Sequence, residues 1–273
     1  MAMRPDFLLD ISGFDMSGFA VAWTVVVVGA SLGALLGGWC VSFASRYSRL
    51  LLTIFNPGDC TAAPSLPDDY QSLIGASGLL RSVLPGQAWR NRPPVLIRCC
   101  AAVLMAICVL VFERRHGISL VFAGLVAASA ILLVLALVDA ATKLLPDALT
   151  FPLLWLGLAC AWVRGPLFLY ESVAGVMAGY GFLWLLFWLY WRIRKRQGMG
   201  QGDFKLLAAL GAWVGLERLP YVLLAACLLG VLFACLRQKR LNLSASYPFG
   251  PFLAISGMGV LLTCPEVHSY FWP

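Results

Sequence analysis

The hydrophobic and polar positions of this chain fall in blocks: long apolar runs, each followed by a polar stretch carrying Lys, Arg, Pro or Gly. About 20 apolar residues cross a bilayer as a helix. On that ruler the pattern predicts spans at 19–43, 95–112, 118–138, 148–163, 166–190, 204–216, 219–236 and 249–264. The segment 204–216 is short for a full crossing and needs help from its flanks. The predicted fold class is an all-α polytopic membrane protein. It is a bundle of about eight transmembrane helices with one long cytoplasmic loop, 44–94, after the first span. That loop is rich in Pro, Gly and Ser (NPGDCTAAPSLPDD, LPGQAWRNRPP). Residues 1–43 then form the N-terminus and first span, and 95–273 form the remaining bundle. Gly29, Gly33 and Gly37, and again Gly175 and Gly179, stand at four-residue spacing, which predicts close helix-packing faces.

Composition strengthens this picture. The chain is 61% hydrophobic and 12% charged, with a mean hydropathy of +0.85, whereas a soluble domain carries about 25% charged residues. Its formal charge of +7 is a topology signal. The loops after the first, third, fifth and seventh spans hold fifteen Lys and Arg, against five on the opposite side. The excess assigns the first set to the cytoplasm and both termini to the outside. No basic run is interleaved with aromatics, so no nucleic-acid partner is expected. Nine cysteines form no C-x-x-C pair and are expected mostly as small buried thiols, with no metal. The opening MAMRPDFLLDISGFDMSG lacks a basic n-region and an A-x-A site, so no cleaved signal peptide is read there.

Candidate chemistry gathers between 139 and 205. Asp139 ends the apolar run ILLVLALVD, and Asp203 opens another in GMGQGDFK. Both lie near Lys or Arg on the predicted cytoplasmic side. An ionisable group at the edge of the bilayer core is costly to keep and is a functional candidate. The plainer reading of Asp139 is an interface marker, and that of GMGQGDFK is a glycine-rich turn. Gly198, Gly200 and Gly202 would let the backbone turn tightly around Asp203. No Gly-Lys-Ser/Thr follows, so this is not a phosphate loop. Asp147, after Pro146, is expected to open a helix and cap its first turn. Lys205 has two open readings: a partner for Asp203, or an interface anchor.

Taken together, A136-L-V-D139-A-A-T-K-L-L-P146-D147, then G-M-G-Q-G-D203-F-K205, then Y247-P-F-G-P-F-L-A254, resemble the type IV prepilin peptidase family of membrane aspartic proteases. The resemblance covers about residues 95–264, making 95–273 a membrane aspartic peptidase core. It implies cleavage of the basic leader of type IV prepilins or type II secretion pseudopilins, just after a glycine, at the cytoplasmic face of a bacterial inner membrane. It implies Asp139 and Asp203 as the catalytic pair. Gly198, Gly200, Gly202, Lys205 and Asp147 would support them, and no cofactor would be needed for proteolysis. Many members also N-methylate the new N-terminus with S-adenosylmethionine.

The chain departs from the family pattern in its first part. Members typically carry two zinc-binding C-x-x-C pairs in the first cytoplasmic loop, where this chain has only Cys60, so zinc is not expected. Val41 replaces the usual Asn and Ile97 the usual Glu, in the part of the family associated with methylation. The alternatives are therefore a peptidase without methyltransferase activity, or a non-catalytic assembly protein of a pilus or secretion machine. A proton-coupled transporter would need ionisable groups within the spans, where only Arg98 stands just inside one. Asp59, Asp68 and Asp69 offer either an attraction for a basic leader or a solvated surface. Lipid is an expected partner, and the sequence sets no oligomeric state.

Overall fold

In the computed structural model, which describes residues 16–55, 95–194, 200–237 and 248–263, every regular element among those residues is a helix. In chain order they are α1 (Met16–Phe55), α2 (Val95–His116), α3 (Leu120–Thr142), α4 (Asp147–Arg164), α5 (Pro166–Arg194), α6 (Gln201–Arg237) and α7 (Gly250–Thr263). Five helical stretches are long and apolar enough to cross a membrane: Thr24–Leu51, Val95–His116, Leu120–Thr142, Pro166–Ile193 and Gln201–Leu236. Gly198, Cys60 and the acidic residues 59, 68 and 69 lie outside the described residues.

Two elements differ from the hydropathy reading. The first is α1, which runs past residue 43 to Phe55. Residues 44–55 contain no Gly or Pro, and their polar side chains bond back onto the helix. Ser45 Oγ donates to Ser42 O at 2.9 Å and Arg49 Nε to Ser45 O at 3.1 Å. The helix therefore outlasts its apolar run.

The second is α6, where two expected spans are joined through a break at Gly215 (φ 75°, ψ 175°). That conformation is close to exclusive to glycine. The chain reverses there. Gly215 lines a cavity with Leu125, Val260 and Leu261. Further along α6, Phe233 meets Phe252, at the opposite end of α7, with ring centroids 5.4 Å apart. The second half of α6 thus runs back beside the first half, with Pro220 inside it.

The core sits where α3, the first half of α6 and α7 meet. Leu132, Leu135 and Val138 of α3, Leu206, Leu207 and Leu210 of α6, and Leu253 of α7 are all fully buried. Small residues set the spacing of the outer helices. A Cβ at Gly37 would lie 2.5 Å from Ala101 O of α2, and Gly33 abuts Ala106. Gly175 of α5 and Gly211 of α6 face each other backbone to backbone, and Gly179 abuts Leu207. Both glycine faces predicted from spacing are therefore packing faces. The cysteines are less buried than expected. Cys40 and Cys108 are buried, but Cys99, Cys100, Cys227 and Cys235 are exposed, because they fall on helix sides that no described neighbour covers.

Candidate active site

The loop after α3 is built by its own side chains. Thr142 Oγ1 donates to Val138 O at 2.8 Å and accepts the Leu144 N–H at 3.2 Å. Lys143 adopts a left-handed conformation (φ 56°, ψ 27°), and its N–H donates to Asp139 O at 2.8 Å. This closes α3 one turn after Asp139. Pro146 then opens α4 with extended geometry (φ −73°, ψ 130°).

Across the bundle, α6 begins at Gln201, and the Asp203 N–H donates to Gly200 O at 3.3 Å. The Asp203 carboxylate thus lies in a first helical turn, where the helix dipole favours negative charge.

Asp139 and Asp203 come together at this end of the bundle. They are only 4% and 8% exposed, and they lie near enough for the charge of one to bear on the other. Two carboxylates withdrawn from water are expensive to maintain. Packing must hold them there. Leu145, from the loop after α3, is one part of that packing. A Cβ at Gly202 would lie 2.7 Å from Leu145 Cβ, and one at Gly250 would lie 3.2 Å from Leu145 Cδ1. Leu145 therefore fills the space between the start of α6 and the start of α7.

The start of α7 closes the site. The Gly250 N–H is directed at the Asp139 carboxyl group. Asp139 Oδ2 is buried and has no hydrogen-bond partner at bonding geometry among the described residues. Gly200 also borders the pair, since a Cβ there would lie 3.9 Å from Asp203 Oδ2.

Lys205 and Asp147 take a relationship that the sequence did not reveal. Lys205 Nζ lies 2.7 Å and 2.6 Å from the two Asp147 carboxylate oxygens, and no bond joins it to Asp203. Asp147 does not cap α4: Pro146 occupies the cap position without a side-chain cap bond, and the Asp147 carboxylate turns to the lysine instead. Leu145 and Gly250 were not foreseen as part of the site. Gly250 had a signal, because it lies inside the YPFGPFLA motif, but nothing in the sequence tied it to Asp139.

These features define a class: a multi-pass helical membrane protein with a buried aspartate pair at one end of its bundle. Residues 125–235 match the type IV leader peptidase family, and the chain belongs to that family. It is 39% identical over 173 residues to a prepilin leader peptidase/N-methyltransferase of Escherichia coli (strain K12), covering 63% of this chain and 73% of the relative. It is 37% identical over 220 residues to the protein of the same name from Dickeya chrysanthemi, covering 74% of each. Against that from Dichelobacter nodosus it is 45% identical over 140 residues, 51% of this chain and 48% of the relative. No solved structure matches the chain.

Proposed function

We propose that this chain is a membrane aspartic endopeptidase that removes the leader peptide from type IV prepilins or type II secretion pseudopilins, with Asp139 and Asp203 as its catalytic pair. The observation that carries this reading is the meeting of two buried aspartates from α3 and α6 at one end of a helical bundle. Peptide hydrolysis by a carboxylate pair needs one ionised and one protonated group. Two carboxylates that share a site hold one proton between them. The ionised partner takes a proton from water, and the protonated one polarises the scissile carbonyl. The pair titrates as a unit, so neither residue is assigned as the base.

The same reading proposes eight membrane passes, with α6 supplying two through its reversal at Gly215, and the aspartate end facing the cytoplasm of a bacterial inner membrane. Exposed Trp184, Trp188, Tyr190 and Trp191, on the half of α5 that leads to this end, suit a bilayer interface, where aromatic side chains concentrate. A prepilin, with a basic leader joined to an apolar helix, would meet the pair from the side while its helix stays in lipid. Flexing at Gly200, just before α6, would close the pair on the substrate, with the Lys205–Asp147 link holding α6 to α4.

A second reading, proteolysis without methylation, is favoured by Cys60 standing alone and by Val41 and Ile97 at positions where the family has Asn and Glu. S-adenosylmethionine would have to act on the new N-terminus, beside the pair. The cavity of about 90 Å³ lined by Arg164, Glu171 and Trp213 lies at the other end of the bundle and does not fit that task. No methyl-transfer step is therefore derived.

The test is leader cleavage of a prepilin in membranes carrying wild type, Asp139→Asn or Asp203→Asn, with the product weighed by mass spectrometry. Cleavage by wild type and its loss in both variants at normal protein levels is the expected result. A product heavier by one methyl group would decide against the second reading. Cleavage undiminished in either variant would remove that residue from the pair, and no cleavage by wild type would favour a non-catalytic assembly role.

A further inference from the structure

Asp139 Oδ2 presents an unusual combination: the residue is 4% exposed, the oxygen has no hydrogen-bond partner among the described residues, and it lies against the first residue of another helix. That residue is Gly250. A Cβ built there would stand 2.5 Å from Asp139 Oδ2, nearer than real side-chain carbons approach, and 3.0 Å from Cγ. The obstacle would be the carboxyl group itself. The other glycines near the pair are placed differently: Gly202 faces Leu145, and Gly200 leaves ordinary contact distance.

We propose that Gly250 is a positioning residue for Asp139, and that the N-terminus of α7 is the third wall of the aspartate pair. Because Gly250 has no side chain, the first turn of α7 comes close enough to aim its backbone N–H at the carboxyl group. A helix start carries partial positive charge and free N–H groups, which suit a buried carboxylate. Leu145 Cδ1 packs against the same point, so the carboxyl group is confined by α7 on one side and by the loop after α3 on the other. The helix is anchored for this task by Leu253 and Ala254, both fully buried, and by Phe252 against Phe233.

This inference rests on the peptidase reading for its activity arm and on geometry alone for its stability arm. Prepilin cleavage is measured for wild type, Asp139→Asn, Gly250→Ala and Gly259→Ala. The last lies in the same helix, and a Cβ there meets nothing within 4 Å. A misplacement of about 1 Å at a reacting group can lower a rate about 100-fold. Gly250→Ala is therefore expected to lower kcat by about that factor with KM within twofold of wild type, while Gly259→Ala cleaves normally. In parallel, membrane accumulation and thermal unfolding in detergent are compared for Gly250→Ala alone and in an Asp139→Ala background, which removes the obstructing carboxyl group. The loss caused by Gly250→Ala is expected to disappear in that background. Wild-type kcat in Gly250→Ala, with Asp139→Asn inactive, would overturn the proposal. So would an equal loss of stability in both backgrounds, even if no variant, wild type included, cleaved the prepilin.

Discussion

Lys205 reaches past Asp203, two residues before it, and forms a two-point ion pair with Asp147 at the start of α4, at 2.7 Å and 2.6 Å. The lysine thereby ties α6 to α4 beside the aspartate pair and not to Asp203. The two side chains are 33% and 51% exposed, so solvent screens the attraction. An exposed pair of this kind contributes about 0–1 kcal/mol. Lys205→Met and Asp147→Asn should each shift thermal unfolding in detergent only slightly. Both should lower the cleavage rate severalfold through the position of α6, and the exchanged pair Asp147→Lys with Lys205→Asp should recover part of it. Full activity in both single variants would deny the pair a part in placing Asp203.

Gly215 sets the reversal of α6. Its backbone (φ 75°, ψ 175°) lies in a region that a side chain makes costly, by about 1–3 kcal/mol. Gly215→Ala should lower the unfolding temperature although a Cβ there has room, since its nearest neighbours are Glu171 atoms at 3.7 Å. Unchanged stability would mean that the reversal tolerates a side chain.

Two glycines of α5 should behave in opposite ways. Gly175 faces the backbone of Gly211, and a Cβ there would lie 3.0 Å from Gly215 C, so Gly175→Ala must push α5 away from α6. Lower stability and weaker cleavage are expected together, because α6 carries Asp203. Gly181 has nothing within 4 Å, so Gly181→Ala should leave activity intact and gain up to about 1 kcal/mol from helix propensity. Detergent unfolding curves for the two variants, measured side by side, check both expectations.

Cys60 is the only cysteine between 44 and 94, too few thiols for a structural zinc site of the C-x-x-C type. Prepilin cleavage should be unaffected by 1,10-phenanthroline and by Cys60→Ser. Inhibition by the chelator, reversed by added zinc, would show a metal dependence that this sequence does not suggest.

Much of the fold is legible in the sequence. Hydropathy placed α2 to α5 and α7 to within a few residues, because each apolar run is a local sum of transfer energies. It missed the length of α1, since residues 44–55 are polar enough to leave a bilayer yet contain nothing that breaks a helix. Four cysteines proved exposed because hydropathy reports that a side chain suits an apolar setting without saying which side of the helix has a neighbour.

By itself, the sequence determined that this is a helical chain of membrane-length apolar segments, with Asp139 and Asp203 at segment ends beside basic residues. Those properties belong to single stretches of chain and can be read from them. The tertiary structure decided the partners. It brought Asp139 to Asp203, sent Lys205 to Asp147, turned α6 back at Gly215, and placed Leu145 and Gly250 around the carboxyl groups. Each of these depends on distances between segments far apart in the chain, set by how helices pack across glycine faces, and no local pattern carries that information.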